Sequence, residues 1–146
     1  MHSFRYRLAY ASAVAIAGQA VAIFAADSAR ADEQPLQATM SCDRAPEPGR
    51  MRCSIEAKVG EGRTIAWADV AILQLPEFAT ALKGRIGPSD ATSREAASTK
   101  WAFGLVAKKA GQGEARARVR IVACEVSTSK CSPLTVEVRS MLSVGN

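Results

Sequence analysis

Histidine and tyrosine are nearly missing from this sequence: His2, Tyr6 and Tyr10 are the only ones, and all three lie within its first ten residues. That stretch has the build of a secretory signal. Arg5 and Arg7 give a basic start, residues 8–26 form an apolar run, and Ala29-Arg30-Ala31 places small residues where a signal peptidase reads. The run is long enough to span a bilayer, but it is rich in alanine and broken by Ser12, Gly18 and Gln19. We therefore expect residues 1–31 to be a cleaved signal peptide, residues 32–146 to be a single exported domain, and no stable membrane span to remain. The exported chain then contains neither histidine nor tyrosine. That excludes catalytic triads with a histidine base, histidine-ligated zinc or copper, and haem attached through Cys-x-x-Cys-His.

Aromatic rings are scarce as well, with only Trp67, Phe78, Trp101 and Phe103 beyond residue 31. Sugar-binding platforms and the stacking modes of single-strand nucleic-acid recognition both need more exposed rings than this. Charge of one sign is also lacking. Residues 32–146 carry 16 basic and 13 acidic side chains, a net charge of +3 against +5 for the whole sequence. So mild and interspersed a balance does not point to nucleic acid. The carboxylates Glu56, Asp69, Glu125 and Glu137 show neither calcium-loop spacing nor an evident pair, so no metal site and no two-carboxylate hydrolase is indicated, and no cofactor is expected.

What the chain does have is cysteine and strand pattern. Cys42, Cys53, Cys124 and Cys131 all lie beyond residue 31, and an even number in an exported chain reads as two disulfides. Residues 36–42 alternate like a half-buried strand, Ala45-Pro-Glu-Pro-Gly49 reverses the chain, and residues 50–59 put Met51, Cys53, Ile55, Ala57 and Val59 on one face. Residues 64–75 are the most continuously apolar stretch and read as strand buried on both faces. Residues 76–84 begin with proline and end with glycine, which suits a helical turn or two, or a loop. Ser89 or Asp90 stands where it would cap a short helix reaching residue 97. Residues 101–108, the turn Lys109-Ala-Gly-Gln-Gly113 and residues 114–124 read as a second hairpin, and residues 134–142 as a closing strand. About six short strands, with at most one or two short helices, predict an all-β fold: a small antiparallel β-sandwich of immunoglobulin-like type, or a barrel.

Cys42 and Cys53 fall on the two arms of one expected hairpin, and Cys124 and Cys131 flank the short polar loop Glu-Val-Ser-Thr-Ser-Lys. Of the three connectivities open to four cysteines, Cys42–Cys53 with Cys124–Cys131 closes the shortest loops between neighbouring strands. A functional alternative attaches to the second pair. With Lys130 beside Cys131, Cys124 and Cys131 would form an accessible thiol-disulfide exchange site, although the spacing is wider than in Cys-x-x-Cys enzymes. Arg116, Arg118 and Arg120 alternate with apolar residues, so on a strand they share one face; such a row binds carboxylate or phosphate, or is simply a solvated surface. Trp67, Trp101 and Phe103 are expected in the core.

Two resemblances attach to the cysteines. Cys42-x10-Cys53, with Cys-Ser-Ile-Glu leading into a strand, followed by Val-Ala-Cys124-x6-Cys131, resembles the invasion-associated locus B family of small exported α-proteobacterial proteins. That likeness implies a periplasmic β-rich domain known by its cysteine framework. Val119-Arg-Ile-Val-Ala-Cys124 through Cys131-Ser-Pro133-Leu-Thr-Val-Glu-Val138 is similar to the immunoglobulin-like amino-terminal domain of the thiol-disulfide interchange protein DsbD. That likeness implies redox roles for Cys124 and Cys131. The expected function is a non-enzymatic interaction or accessory module, periplasmic or secreted, whose partner is another periplasmic or envelope protein. The alternative is a periplasmic thiol-disulfide carrier using Cys124 and Cys131.

Overall fold

The computed structural model describes residues 34–145, so the expected signal peptide at residues 1–31 lies outside the described residues. Among the described residues nine strands follow one another: β1 (Leu36–Cys42), β2 (Gly49–Val59), β3 (Arg63–Gln74), β4 (Ala79–Ala81), β5 (Arg85–Ile86), β6 (Ala91–Arg94), β7 (Ser98–Ala107), β8 (Gly111–Glu125) and β9 (Cys131–Val144). They form two antiparallel sheets. One runs β1-β2-β7-β4 with β6 also on β7, and the other runs β5-β3-β8-β9. This is a sandwich, not a barrel, and with β6 in the D position and β4 an additional short edge strand its order is that of an immunoglobulin-like domain, A-B-E-D facing C′-C-F-G. At one corner Ala45 forms a parallel bridge to Val144, tying the β1–β2 connection to the end of β9.

Period-two patterning builds the core. Met51, Cys53, Ile55, Ala57 and Val59 of β2 are buried, and so are Trp101, Phe103, Leu105 and Ala107 of β7. From the other sheet come Ala115, Ala117, Val119, Ile121 and Ala123 of β8, with Val138, Leu142 and Val144 of β9. Bulk in β7 is thus balanced by small side chains in β8, which lets the two inner faces fill the space between them.

Three expectations fail, each for a long-range reason. No helix forms between residues 76 and 97 apart from the 3-10 turn Pro88–Asp90. Asp90 closes that turn by accepting the Gly87 amide at 3.0 Å, and the chain then pairs with β7 as β6. The residues expected as a second hairpin belong to different sheets, so the connection from β7 to β8 crosses the sandwich. Gly111 and Gly113 are not turn residues but the start of β8, where they leave room for side chains arriving from the β3–β4 connection. A Cβ on Gly113 would sit 2.6 Å from Cγ of Pro76, and one on Gly111 would sit 2.9 Å from Cδ1 of Phe78. Glycine inside a strand marks this kind of close approach. Because a proline ring cannot rotate aside, Gly113→Ala is expected to destabilise by about 1 to 3 kcal/mol. Thermal unfolding measures this, and an unchanged melting temperature would show that the Pro76 contact is not held.

Candidate functional site

Arg116, Arg118, Arg120, Cys124 and Cys131 come together on the outer face of the β5-β3-β8-β9 sheet, whereas Cys42 and Cys53 lie in the other sheet. Strands β8 and β9 pair without a register shift from Gly111 opposite Val144 to Cys124 opposite Cys131. With the odd residues of β8 committed to the core, the even ones, Arg116, Arg118, Arg120 and Cys124 among them, all point outward. Glu137 of β9 stands opposite Arg118. Its Oε2 accepts Nη2 of Arg116 at 2.9 Å and its Oε1 accepts Nη2 of Arg118 at 2.7 Å. The hydrogen bond from Arg118, then that from Arg116, holds the Glu137 carboxyl below its ordinary range despite some desolvation.

Arg120 differs from its two neighbours. It faces Asp69 of β3, whose carboxylate is fully buried although it lies on the outward side of the sheet. Nε of Arg120 donates to Asp69 Oδ1 at 2.8 Å, Nη2 of Arg120 donates to Oδ2, and Nε of Arg85 from β5 donates to Oδ2 at 2.6 Å. Trp67 lies alongside, its ring centroid 5.8 Å from the Arg120 guanidinium carbon, within cation–π range. Burial pushes the Asp69 carboxyl up, but the hydrogen bonds from Arg120 and Arg85 outweigh it and the carboxyl titrates below its ordinary range. Arg120 is raised in turn, chiefly by its hydrogen bonding to Asp69.

The arginine row is therefore on one face, as its alternation predicts, but it is not a uniform solvated stripe. Each of its guanidiniums already has a carboxylate, and one of those carboxylates is buried. The sequence reading placed Asp69 in no ion pair, because its arginine partners are 16 and 51 residues away. A signal was present, since an aspartate in the middle of Thr-Ile-Ala-Trp-Ala-Asp-Val-Ala-Ile-Leu is seldom buried without cationic partners. Burial on both faces of β3 holds only for Ala68, Asp69 and Val70. Trp101 and Phe103 are in the core, whereas Trp67 is half-buried on the outer surface.

Both disulfides form as the strand arms predict, Cys42 to Cys53 and Cys124 to Cys131, each joining residues directly opposite across a hairpin. They differ in surroundings. Cys53 is buried on the core side of β2, while Cys131 is exposed on the outer face of β9. The loop between Cys124 and Cys131 is tied down by its own bonds. The Glu125 amide donates to the Lys130 carbonyl at 2.9 Å, and the Thr128 hydroxyl donates to the Glu125 carboxylate at 2.8 Å.

Sequence reasoning missed the outer face of the opposite sheet. There a depression of about 370 Å³ lies between β2 and the chain leaving β4, lined by Arg50, Arg52, Leu82, Thr92, Ala102 and Gly104. Leu82 is 62% exposed and lies over Gly104, where an added Cβ would meet its Cδ1 at 2.7 Å. The depression continues past Thr92 and Arg52 into a smaller one of about 180 Å³ beside Thr39, Ser54 and Glu56. No local pattern announces this trough, because β2, β7 and the segment between β4 and β6 meet only in the fold.

No family model matches the chain, and no curated protein matches it. Among solved structures, it is similar to a non-cellulosomal cohesin from the hyperthermophilic archaeon Archaeoglobus fulgidus, at 7% identity and TM-score 0.42, over 75% of this chain and 92% of that one. It is similar to domains D2 and D3 of the major pilin SpaD from Corynebacterium diphtheriae, at 12% identity and TM-score 0.38, over 70% of this chain and 51% of that one. A structure concerned with fibronectin binding by the AAF fimbriae of enteroaggregative Escherichia coli matches at 11% identity and TM-score 0.35, over 75% of this chain and 98% of that one.

Proposed function

We propose that this chain is an exported, non-enzymatic interaction module whose binding surface is the outer face of the β1-β2-β7-β4 sheet. The observation that carries this reading is the trough, which combines an apolar floor at Ala102 and Gly104, an exposed Leu82 and cationic Arg50 and Arg52 on one face. Protein-binding surfaces have this make-up, with an apolar centre and arginine at its margin. Two disulfides fit an oxidising compartment and support the export step. A photo-crosslinking residue in place of Thr92, at the trough, is expected to give higher-mass adducts with envelope protein in cells. The same residue in place of Thr135, on the opposite outer face, is expected to give none. Adducts from Thr135 alone, or from neither site, would count against this surface. Intact-mass analysis of the exported protein is expected to give a chain beginning at Asp32, and retention of Met1 in the membrane would contradict export as a free domain.

The exposed Cys124–Cys131 bridge favours a second reading, a thiol-disulfide carrier in the periplasm. It has less support, because the bridge joins directly opposed strands and its loop is held by internal hydrogen bonds.

A further inference from the structure

The outer faces of the two sheets differ in how their arginines are spent. Arg116, Arg118 and Arg120 are all closed onto Glu137 or Asp69. Arg50 and Arg52 have no carboxylate partner among the described residues, although both project from β2 over the trough. Two of the acids near this surface are already taken, and Asp43, whose amide donates to the Arg52 carbonyl at 2.9 Å, forms no ion pair with Arg52. Glu56 lies 3.0 Å from the Lys58 amine and 3.6 Å from that of Lys100, and Asp90 lies 2.6 Å from that of Lys83. Arg50 and Arg52 thus stand beside an apolar floor with no ion pair among the described residues.

From this we infer that the trough binds an acidic, extended segment of a protein partner, with carboxylates on Arg50 and Arg52 and an apolar side chain against Leu82 and Gly104. The inference rests on the interaction surface assigned above and names the chemistry of what occupies it. A guanidinium takes a carboxylate through two parallel hydrogen bonds, which gives orientation as well as attraction. Arg50 and Arg52 are two residues apart on one strand, about 7 Å. An extended partner has the same repeat, so acids at alternate positions meet both arginines at once. Arg52 stands directly opposite Gly104, and the missing side chain there lets Leu82 lie down on β7 with its apolar surface turned to the partner beside the arginines.

The probe is the capped peptide Leu-Ser-Glu-Ser-Glu-Ser-Leu, titrated to millimolar concentration into the exported protein labelled with 15N, with a glutamine-for-glutamate version as control. The glutamate peptide is expected to shift the amide resonances of Arg52, Ala102 and Gly104, and the control to bind about tenfold more weakly or less well still. The double variant Arg50→Gln/Arg52→Gln should lose about as much affinity with the rest of its spectrum unchanged, since neither side chain has an intramolecular carboxylate to lose. Leu82→Asp, at an exposed position, should abolish binding by placing a competing carboxylate at the rim. Equal binding of the two peptides, shifts confined to residues 116–120, or no shift at the trough would overturn the inference. Thr92 crosslinks that persist undiminished in the double arginine variant would also overturn the acidic partner while leaving the interaction surface standing, so the two failures are distinguishable.

Discussion

Replacing Arg85 and Arg120 together by glutamine is expected to lower stability by about 3 kcal/mol, because it strands a carboxylate that the fold has removed from water. Asp69 is fully buried, and these two guanidiniums are its charged partners among the described residues. Breaking such a group's pairing costs roughly 3 to 5 kcal/mol. The lower figure applies because the two arginine side chains are themselves the cover over Asp69, and shortening them admits water. Arg116→Gln/Arg118→Gln should leave the melting temperature essentially unchanged, since both bond to a surface glutamate in solvent. Denaturant titration of the two double variants separates the halves of the row, and equal losses would show that Asp69 is not the buried group described here.

The same pair of variants carries a pH test with opposite signs. In the native protein Asp69 titrates below its ordinary range. Its contribution is therefore complete above the unfolded value, about pH 3.9, and is lost as pH falls through the lower folded value. Without Arg85 and Arg120 the depressing hydrogen bonds are gone, and what burial remains raises the folded value above the unfolded one. The penalty is then smallest at low pH and grows as pH rises through that folded value. Stability of the double variant relative to the native protein should accordingly improve on acidification toward pH 4.

Removing the disulfides is expected to cost about 2 kcal/mol for Cys124→Ser/Cys131→Ser and about 3 kcal/mol for Cys42→Ala/Cys53→Ala. Both bridges close short loops, with sequence separations of 7 and 11, so the chain-entropy difference between them is small. The larger loss for the first hairpin comes from Cys53, which is buried in the core and leaves a void when truncated. In a domain of this size each kcal/mol lowers the melting temperature by roughly 4 °C. Mild reductant should open Cys124–Cys131 first, because Cys131 is exposed and Cys53 is not. Loss of Cys42–Cys53 ahead of it would contradict the core-side placement of the first bridge.

Local pattern was enough for the parts of this molecule that depend on neighbours in sequence. The alternation of β2 and β8, the first hairpin and both cysteine pairings all follow from residues a few positions apart. What stayed hidden depended on distant contacts. Gly111 and Gly113 look like a turn until Pro76 and Phe78 are seen to need the space, and the β7 to β8 connection then ceases to be a hairpin. Ala91–Arg94 has the composition of a cap and short helix, yet the open edge of β7 draws it into a strand. The arginine row was legible as a face, but its division into surface pairs and a buried cluster required Asp69, 51 residues from Arg120. The trough was the least legible feature, because Arg50 and Arg52 become a site only beside Leu82 and Gly104.

The division between a binding module and a thiol-disulfide carrier rests on the Cys124–Cys131 bridge, and its reduction potential tests that division most directly. The exported protein would be equilibrated in glutathione and dithiothreitol buffers and its free thiols trapped and located by mass. A bridge that only staples β8 to β9 should lie below roughly −300 mV, whereas a value within the roughly −120 to −270 mV range of exchange proteins would contradict the binding-module reading and make the carrier the better description.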